Sequence, residues 1–549
     1  MTTQTTASQE PPTAQTKLGF FKTRRGRAIR ENLTAYLFLS PALFIVFTFG
    51  IFPILFAGYV SLYKWRIKQN QWRGLDNYIN AMGDPAYIFF GVIVLALVFV
   101  GIRAAYQASK RAKENELPYY TPLLSLIPGI PITFGLVQIL LAAITFFAWE
   151  EAIEAGEAAR LGNVGLGVAS IIVGLLISVG TQNFIRRMAP RSHKTVPDFT
   201  VPAVTVLLTL GAAYVLGRFT YLTLLTSDRF GIAVIRLSYL LGALAILVVG
   251  FFIWRWGSQQ QSNFKLILSL IASAIMIGGA VWLANIWPVI SMDSDPDFYQ
   301  SLSVTMWYSI ATVPVQLGVS MVIAYLLYQP IRGRAFFRIV FFIPYIAPAV
   351  ATAGIFQAMF SLRGTSLANQ LMVLLGGEPQ RWLHEPNAAL SVLGQAFGIE
   401  AAANWQFGPS LALLVVILYN IWVYVGYDTV IFLAGLGAIP NTLYEAARID
   451  GAGRWSIFRH VTFPLLSPTT YFLSVISVIG TFKAFNHIFV LRQSAAQGTV
   501  DAASVHFFVT FQRASRFGYA TSMAITLFVV ILTLYLIQNR IAERSVHYG

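Results

Sequence analysis

Long apolar runs separated by short polar segments set the pattern of this chain. They fall near 37–62, 88–105, 122–149, 163–184, 200–225, 231–254, 265–290, 302–329, 337–361, 409–436, 466–490 and 517–538. At about 1.5 Å rise per residue, each is long enough to cross a hydrocarbon core of about 30 Å. Backbone in lipid must satisfy its own hydrogen bonds, so runs of this length predict helices. The expected fold is all-α, a polytopic membrane protein of about 12 transmembrane helices.

The polar segments between the runs predict orientation. Residues 1–34 read as a cytoplasmic tail: 1–16 are Thr-, Gln- and Pro-rich and too poor in apolar groups to order, and Lys17, Lys22, Arg24, Arg25, Arg27 and Arg30 precede the first run. That run is too long for a signal-peptide core and is read as a retained anchor. Basic groups then recur after every second run: Arg103, Lys110, Arg111 and Lys113; Arg186, Arg187, Arg191 and Lys194; Arg255 and Lys265; Arg332, Arg334 and Arg338; Arg540 and Arg544. Glu150, Glu151, Glu154, Glu157, Asp293 and Asp295 occupy alternate loops. Both termini are therefore expected in the cytoplasm. Lys64, Arg66, Lys68 and Arg73 run against the rule, because they fall on the outside.

Composition agrees. The chain is 56% hydrophobic and only 11% charged, about half the charge of a soluble domain. Its +15 net charge lies mostly beside apolar runs, where it reads as orientation signal and not as a nucleic-acid surface. The chain has no cysteine, which excludes disulfides and Cys-ligated metal.

One charged stretch between two apolar runs departs from this pattern, EAARIDGAGRWSIFRHVTFPLL from Glu445. Asn441 and Thr442 follow Pro440 as N-cap candidates, and Thr442 with Glu445 has capping-box spacing. A short helix is expected to start there, break at Gly451 and Gly453, and give way to a second from about Ser456 to Val461, before Pro464. Ala446, Ala447 and Asp450 form a small-residue face open to a knob from another protein, rimmed by Arg448, Arg454, Arg459 and His460. Spacing alone leaves an ordinary solvated loop equally open. The order Glu-Ala-Ala, Gly451 six residues after the Glu, and Val461-x-Phe463-Pro464 ten further on resembles the EAA loop of permease subunits of binding-protein-dependent ABC importers. The surrounding GLGAIPNTLYEAARIDGAG is similar to their carbohydrate branch, MalF-like.

That resemblance implies a type I importer permease core in the plasma (inner) membrane of a prokaryote. The loop 437–465 would dock, through Glu445, Ala446, Ala447, Asp450, Gly451 and Pro464, on a cytoplasmic ATPase dimer. A second, MalG-like permease subunit and an extracytoplasmic sugar-binding protein would complete the complex. WRGLDNYINAMGDP (Trp72–Pro85) resembles the external segment after the family's first span. The next span follows at once in the family, but here DPDFYQSLSVTMWYS (Asp295–Ser309) resumes about two hundred residues later. The expected organisation is a first span and external segment at 35–86, an inserted bundle of about six spans at 87–292, and a core of five spans at 293–549. Arg363–Leu390, with Thr365 or Ser366 capping a helix that Gly376 and Gly377 end, resembles the loop that receives the binding protein. The chain departs from the family at Arg492-Gln493-Ser494, where Gly-Gly-Pro is expected, and in an extra loop at 394–408.

Chemistry is mostly absent. There is no GxxxxGK[ST] phosphate loop, no HExxH or paired histidine spacing and no GxSxG. The chain is expected to be no enzyme and to bind no cofactor or metal, with ATP hydrolysed by a partner. The alternative is an ion-coupled secondary transporter, which normally keeps several ionisable groups within its spans. Here Asp428 and Lys483 lie at membrane depth, as functional groups, a mutual ion pair or snorkelling side chains.

The expected translocation path follows from polar periodicity. Asn420, Tyr424 and Tyr427 share one helix face, and Lys483, Asn486 and His487 share another. Polar groups are costly against lipid, so both faces should turn inward, either to a wet cavity or to interhelical hydrogen bonds. The resemblance implies that Asn420 and His487 belong to a sugar site, although the family carries an amide at the second position. The substrate implied is a di- or oligosaccharide or a related polyol or glycerol phosphate.

Overall fold

The computed structural model describes residues 24–66, 69–147, 153–188, 197–258, 264–404, 407–512 and 514–545. The tail 1–16 and Lys17, Lys22, Lys68, Glu150, Glu151, Arg191 and Lys194 lie outside them, as do residues 405 and 406 of the extra loop. The chain divides into two compact units, Met1–Ala57 and Gly58–Gly549. The first apolar run forms α1 (Thr34–Val60), which widens into a π-turn at Val46–Ile51.

Next come a hairpin of β1 (Tyr63–Trp65) and β2 (Gln69–Trp72), paired antiparallel, and the short α2 (Asp76–Met82). The hairpin is the one sheet among the described residues of an otherwise helical chain. Tyr63 meets Trp65 and, across the strands, Trp72 edge-on, aromatic contacts that favour extended backbone.

The six runs that follow are six helices: α3 (Pro85–Glu114), α4 (Thr121–Ile144), α5 (Asn163–Met188), α6 (Thr200–Leu225), α7 (Phe230–Gly257) and α8 (Ile267–Ile290). α4 packs on α5, α3 on α6, and α7 on α8. Small residues permit the close crossings: a Cβ at Gly135 would stand 2.5 Å from the Gly167 carbonyl.

After this bundle the chain returns to where it left. The amide of Asp295 donates to the carbonyl of Asn80 at 3.1 Å, and Tyr299 Oη donates to the carbonyl of Met82 at 2.7 Å. Arg236, near the start of α7, bridges both ends, 3.2 Å from Asp84 and 2.6 Å from Asp293, while Arg229 also pairs with Asp293.

The remaining chain is α9 (Pro296–Tyr328), α10 (Arg334–Ile346), α11 (Ala349–Met359), α12 (Leu367–Leu374), α13 (Ala389–Ala396), α14 (Leu411–Ala438), α15 (Asn441–Ile449), α16 (Arg454–Leu465), α17 (Ser467–Phe482), α18 (Asn486–Leu491), α19 (Ala503–Gln512) and α20 (Phe517–Ala542). Among the described residues ten helices are long and apolar enough to cross a membrane, and counting each of two bent pairs as one span brings the total to 12. α14 is the centre, packed by α9, α10 and α17. A Cβ at Gly426 would collide with the carbonyl of Phe341, so α10 crosses α14 in direct backbone contact.

Two expected spans are not continuous. The run 337–361 bends by 95° between α10 and α11, because Pro348 forces Ala347 out of helical geometry to ψ 143°. The run 466–490 ends its helix at Phe482 and restarts at Asn486. Between α11 and α14, Ser366 Oγ accepts the Asn369 amide as the N-cap of α12, and Gly376 leaves it with φ +82°, as the sequence predicts.

Candidate functional site

Two apolar layers sandwich a polar one at the centre. Tyr308, Phe356, Val416 and Tyr419 belong to one layer; Leu317, Phe432, Leu436 and Leu473 belong to the other. Between them Gln316, Asn420 and Asp428 are buried together. Gln316 Nε2 donates to Asp428 Oδ2 at 2.6 Å and lies 3.4 Å from Ser477 Oγ, while Asn420 Nδ2 donates to Gln316 Oε1 at 3.1 Å. Three helices, α9, α14 and α17, are thereby tied side chain to side chain. A buried polar group left unpaired costs about 1–3 kcal/mol, so these bonds constrain how the helices meet.

Beside this layer lies a cavity of about 360 Å³, within the ordinary range of small-molecule sites. Asn420, Tyr424, Tyr427, Lys483, Asn486 and His487 all line it. The two halves reach it differently from the expectation. The first three residues project from α14, but Lys483, Asn486 and His487 do not share one helix face: they straddle the break at 483–485, with Phe485 at φ −137°. Asp428 and Lys483 form no ion pair; the carboxylate is held by Gln316 instead.

Aromatic rings complete the lining. Tyr345 of α10 stacks on Tyr427 at 4.6 Å between centroids and meets Tyr424 edge-on at 5.6 Å. His487 is buried, with Nε2 2.8 Å from Tyr308 Oη and its ring stacked on Tyr419 at 5.0 Å. Sequence reasoning missed Gln316, Tyr345 and Ser477 as lining residues. Gln316 carried a legible signal, as the amide in the middle of an apolar run; Tyr345 is one aromatic residue among many and carried none.

At the other end of α14, the charged stretch folds as helix, turn, helix. Gly451 stands at φ +76°, and the amide of Ala452 closes the turn on the carbonyl of Ala447 at 2.9 Å. The expected capping box does not form. Pro440 holds the N-cap position of α15, no side chain caps it, and Glu445 is exposed. The second helix also runs further than expected. α16 continues through Pro464 to Leu465 because its middle, Phe458–Thr462, is a wider π-turn, and the 60° bend into α17 follows Leu465.

Glu445 and Arg448 line a polar pocket of about 640 Å³ with Tyr325, Tyr328 and Arg454. Ala446, Asp450 and Gly451 are exposed and Ala447 half-buried, while Pro464 is half-buried at the far end of the element. Ile449 and Trp455 stand 86% and 71% exposed beside the turn, an apolar tip on an otherwise charged element. Phe458 anchors the element to α9 through an edge contact with Tyr325 at 5.1 Å. Among the described residues no group of three or more His, Asp or Glu side chains is placed to hold a metal.

The described residues thus form a multi-span helical bundle with a polar central cavity and a jointed charged element between two of its spans. Residues 316–547 match the family described as binding-protein-dependent transport system inner membrane component. The arabinooligosaccharides transport system permease protein AraP of Bacillus subtilis (strain 168) is 30% identical over 251 residues, 45% of this chain and 73% of its own. The sn-glycerol-3-phosphate transport system permease protein UgpA of Agrobacterium fabrum (strain C58) is 30% identical over 322 residues, 57% of this chain and 97% of its own. Among solved structures, a chain from a bacterial ABC transporter involved in alginate import aligns over 47% of this chain and 82% of its own, with 22% identity and a TM-score of 0.39. The chain belongs to the family of binding-protein-dependent transport permeases. It is a transport subunit and not an enzyme, and membership of this family sets aside the ion-coupled alternative.

Proposed function

We propose that this chain forms the translocation path for a sugar in an ATP-driven importer, taking a di- or oligosaccharide or a related polyol or glycerol phosphate. One observation carries the reading: polar and aromatic groups from two stretches about sixty residues apart line a single cavity inside a membrane bundle. Sugars suit that lining, since hydroxyls need donors and acceptors while their apolar ring faces stack on aromatic rings. The names of relatives, which include an arabinooligosaccharide and a glycerol-3-phosphate permease, point the same way.

In this reading α15 and α16 couple the path to a cytoplasmic ATPase dimer, with Glu445, Ala446, Ala447, Asp450, Gly451 and Pro464 at the contact. The exposed Ile449 and Trp455 support it as the part a partner would cover. ATP is hydrolysed by that partner, a second permease subunit completes the pore, and an external binding protein delivers substrate. Both termini are then cytoplasmic, and the helices between 87 and 292 are an addition to a core formed by 35–86 and 293–549. The test is uptake by proteoliposomes carrying the complete complex. Replacing Asn420 and Tyr424 by Ala should reduce uptake while substrate-independent ATPase activity survives. Unchanged uptake, or loss of assembly, would place the path elsewhere.

A further inference from the structure

The buried amides beside the cavity are not free to choose their orientation. Asp428 is a carboxylate and offers only acceptors, so it takes the N–H side of the Gln316 amide, at 2.6 Å. Gln316 is then committed: its Oε1 faces Asn420, whose Nδ2 donates to it at 3.1 Å. One of its two N–H bonds is spent there, and the orientation this fixes leaves the Asn420 carbonyl oxygen for the cavity that it lines. Each bond fixes the polarity of the next. Two amides facing each other without the carboxylate would have no such constraint, because turning both over preserves their shape and their mutual bond.

We propose that Gln316 is a positioning residue and Asp428 the anchor of its polarity, so that the cavity presents Asn420 Oδ1 as an acceptor to a substrate hydroxyl. This rests on the reading of the cavity as a sugar path and deepens it. An acceptor fixed in place selects a group that can donate: a sugar O–H satisfies it, whereas a fluorine or ether oxygen at the same position leaves it unpaired. Sites built to bond a hydroxyl reject analogues lacking it strongly, because the protein group is stranded. Gln316 itself lines the cavity, and Ser477 Oγ stands 3.4 Å from its Nε2 on the α17 side, which holds the amide plane between three helices.

The test measures binding to the detergent-solubilised complex without its binding protein, by saturation-transfer NMR with lactose, arabinotriose and glycerol 3-phosphate. Each is compared with its monodeoxyfluoro analogues, which keep the size of the hydroxyl but cannot donate. Wild type should bind at least one of the three and bind one of its analogues about tenfold more weakly. Asp428→Asn, nearly the same shape, should bring that ratio to within about twofold, and Gln316→Met should do the same. A residue serving packing alone would lower the yield of complex without moving the ratio. If wild type binds none of the three, the sugar reading fails and this inference with it. If wild type binds and Asp428→Asn discriminates as sharply, the inference alone is overturned; that variant decides even where Gln316→Met does not assemble.

Discussion

Tyr308 Oη lies 2.8 Å from Nε2 of His487, joining the centre of α9 to the first turn of α18 across 179 residues of sequence. The bond holds the imidazole flat against Tyr419 and closes one wall of the cavity. Tyr308→Phe strands a buried ring nitrogen at a cost of about 1–3 kcal/mol. The variant should unfold at lower temperature in detergent than wild type, whereas His487→Asn, which keeps a polar partner for Tyr308, should lose less. Equal melting temperatures for Tyr308→Phe and wild type would show that the bond contributes nothing.

Gly451 is the joint of the element after α14. At φ +76° it occupies a region that other residues enter at a cost of about 1–2 kcal/mol, and that proline, locked near −65°, cannot enter at all. Gly451→Pro should abolish uptake while leaving the protein in the membrane, because the angle between α15 and α16 changes. Glu445→Lys, which reverses an exposed charge in the pocket it shares with Arg448 and Arg454, should act in the same direction. Normal uptake by both variants would remove the coupling role.

Orientation is testable because the chain has no native cysteine. Single cysteines at Lys110 and Arg255 should be shielded from an impermeant thiol reagent added outside, and one at Asp228 should react. The structure supports the parity of this scheme, since Asp84, Arg229 and Asp293 meet at one end of the bundle. Reaction at Arg255→Cys from outside would break it.

The ion-pair cluster of Asp84, Arg229, Arg236 and Asp293 is expected to be acid-sensitive. Hydrogen bonds from Arg229, and then from Arg236, hold the Asp293 carboxyl below its ordinary value of 3.8. A depressed native pKa stabilises the fold above the unfolded value, and that contribution is lost as pH falls through the lower native value. Wild type should therefore lose melting temperature more steeply than Asp293→Asn below about pH 4, with parallel curves above pH 5. Parallel curves throughout would show the pairs to be inert.

Gly426 should tolerate no side chain. Gly426→Ala places a methyl group against the Phe341 carbonyl, backbone that cannot swing aside, so α10 must move away from α14. Overpacking of this kind costs about 1–3 kcal/mol. Reduced thermal stability is expected, together with reduced uptake, because Tyr345 on α10 stacks on Tyr427 across the same crossing. Wild-type melting and uptake would count against it.

By itself the sequence determined most of the span pattern, the turn at Gly451, a helix cap at Thr365 or Ser366 and the Asn420, Tyr424 and Tyr427 face of the cavity. Each of these rests on local physics: the length of an apolar run, the left-handed preference of glycine, or the spacing of polar residues along one helix. It misjudged the capping box at Thr442 and Glu445, where the N-cap falls on Pro440, and the end of α16 at Pro464, where a π-turn carries the helix on. The breaks at Ala347 and Lys483–Phe485 were likewise concealed inside runs hydrophobic enough to read as single spans. Only the tertiary structure decided that Asn420 meets a glutamine 104 residues away and that Asp428 meets the same glutamine, 112 residues away. Composition marks a polar group as costly in a membrane, but its partner is set by which helices cross and at what depth, and that is a property of the packed bundle.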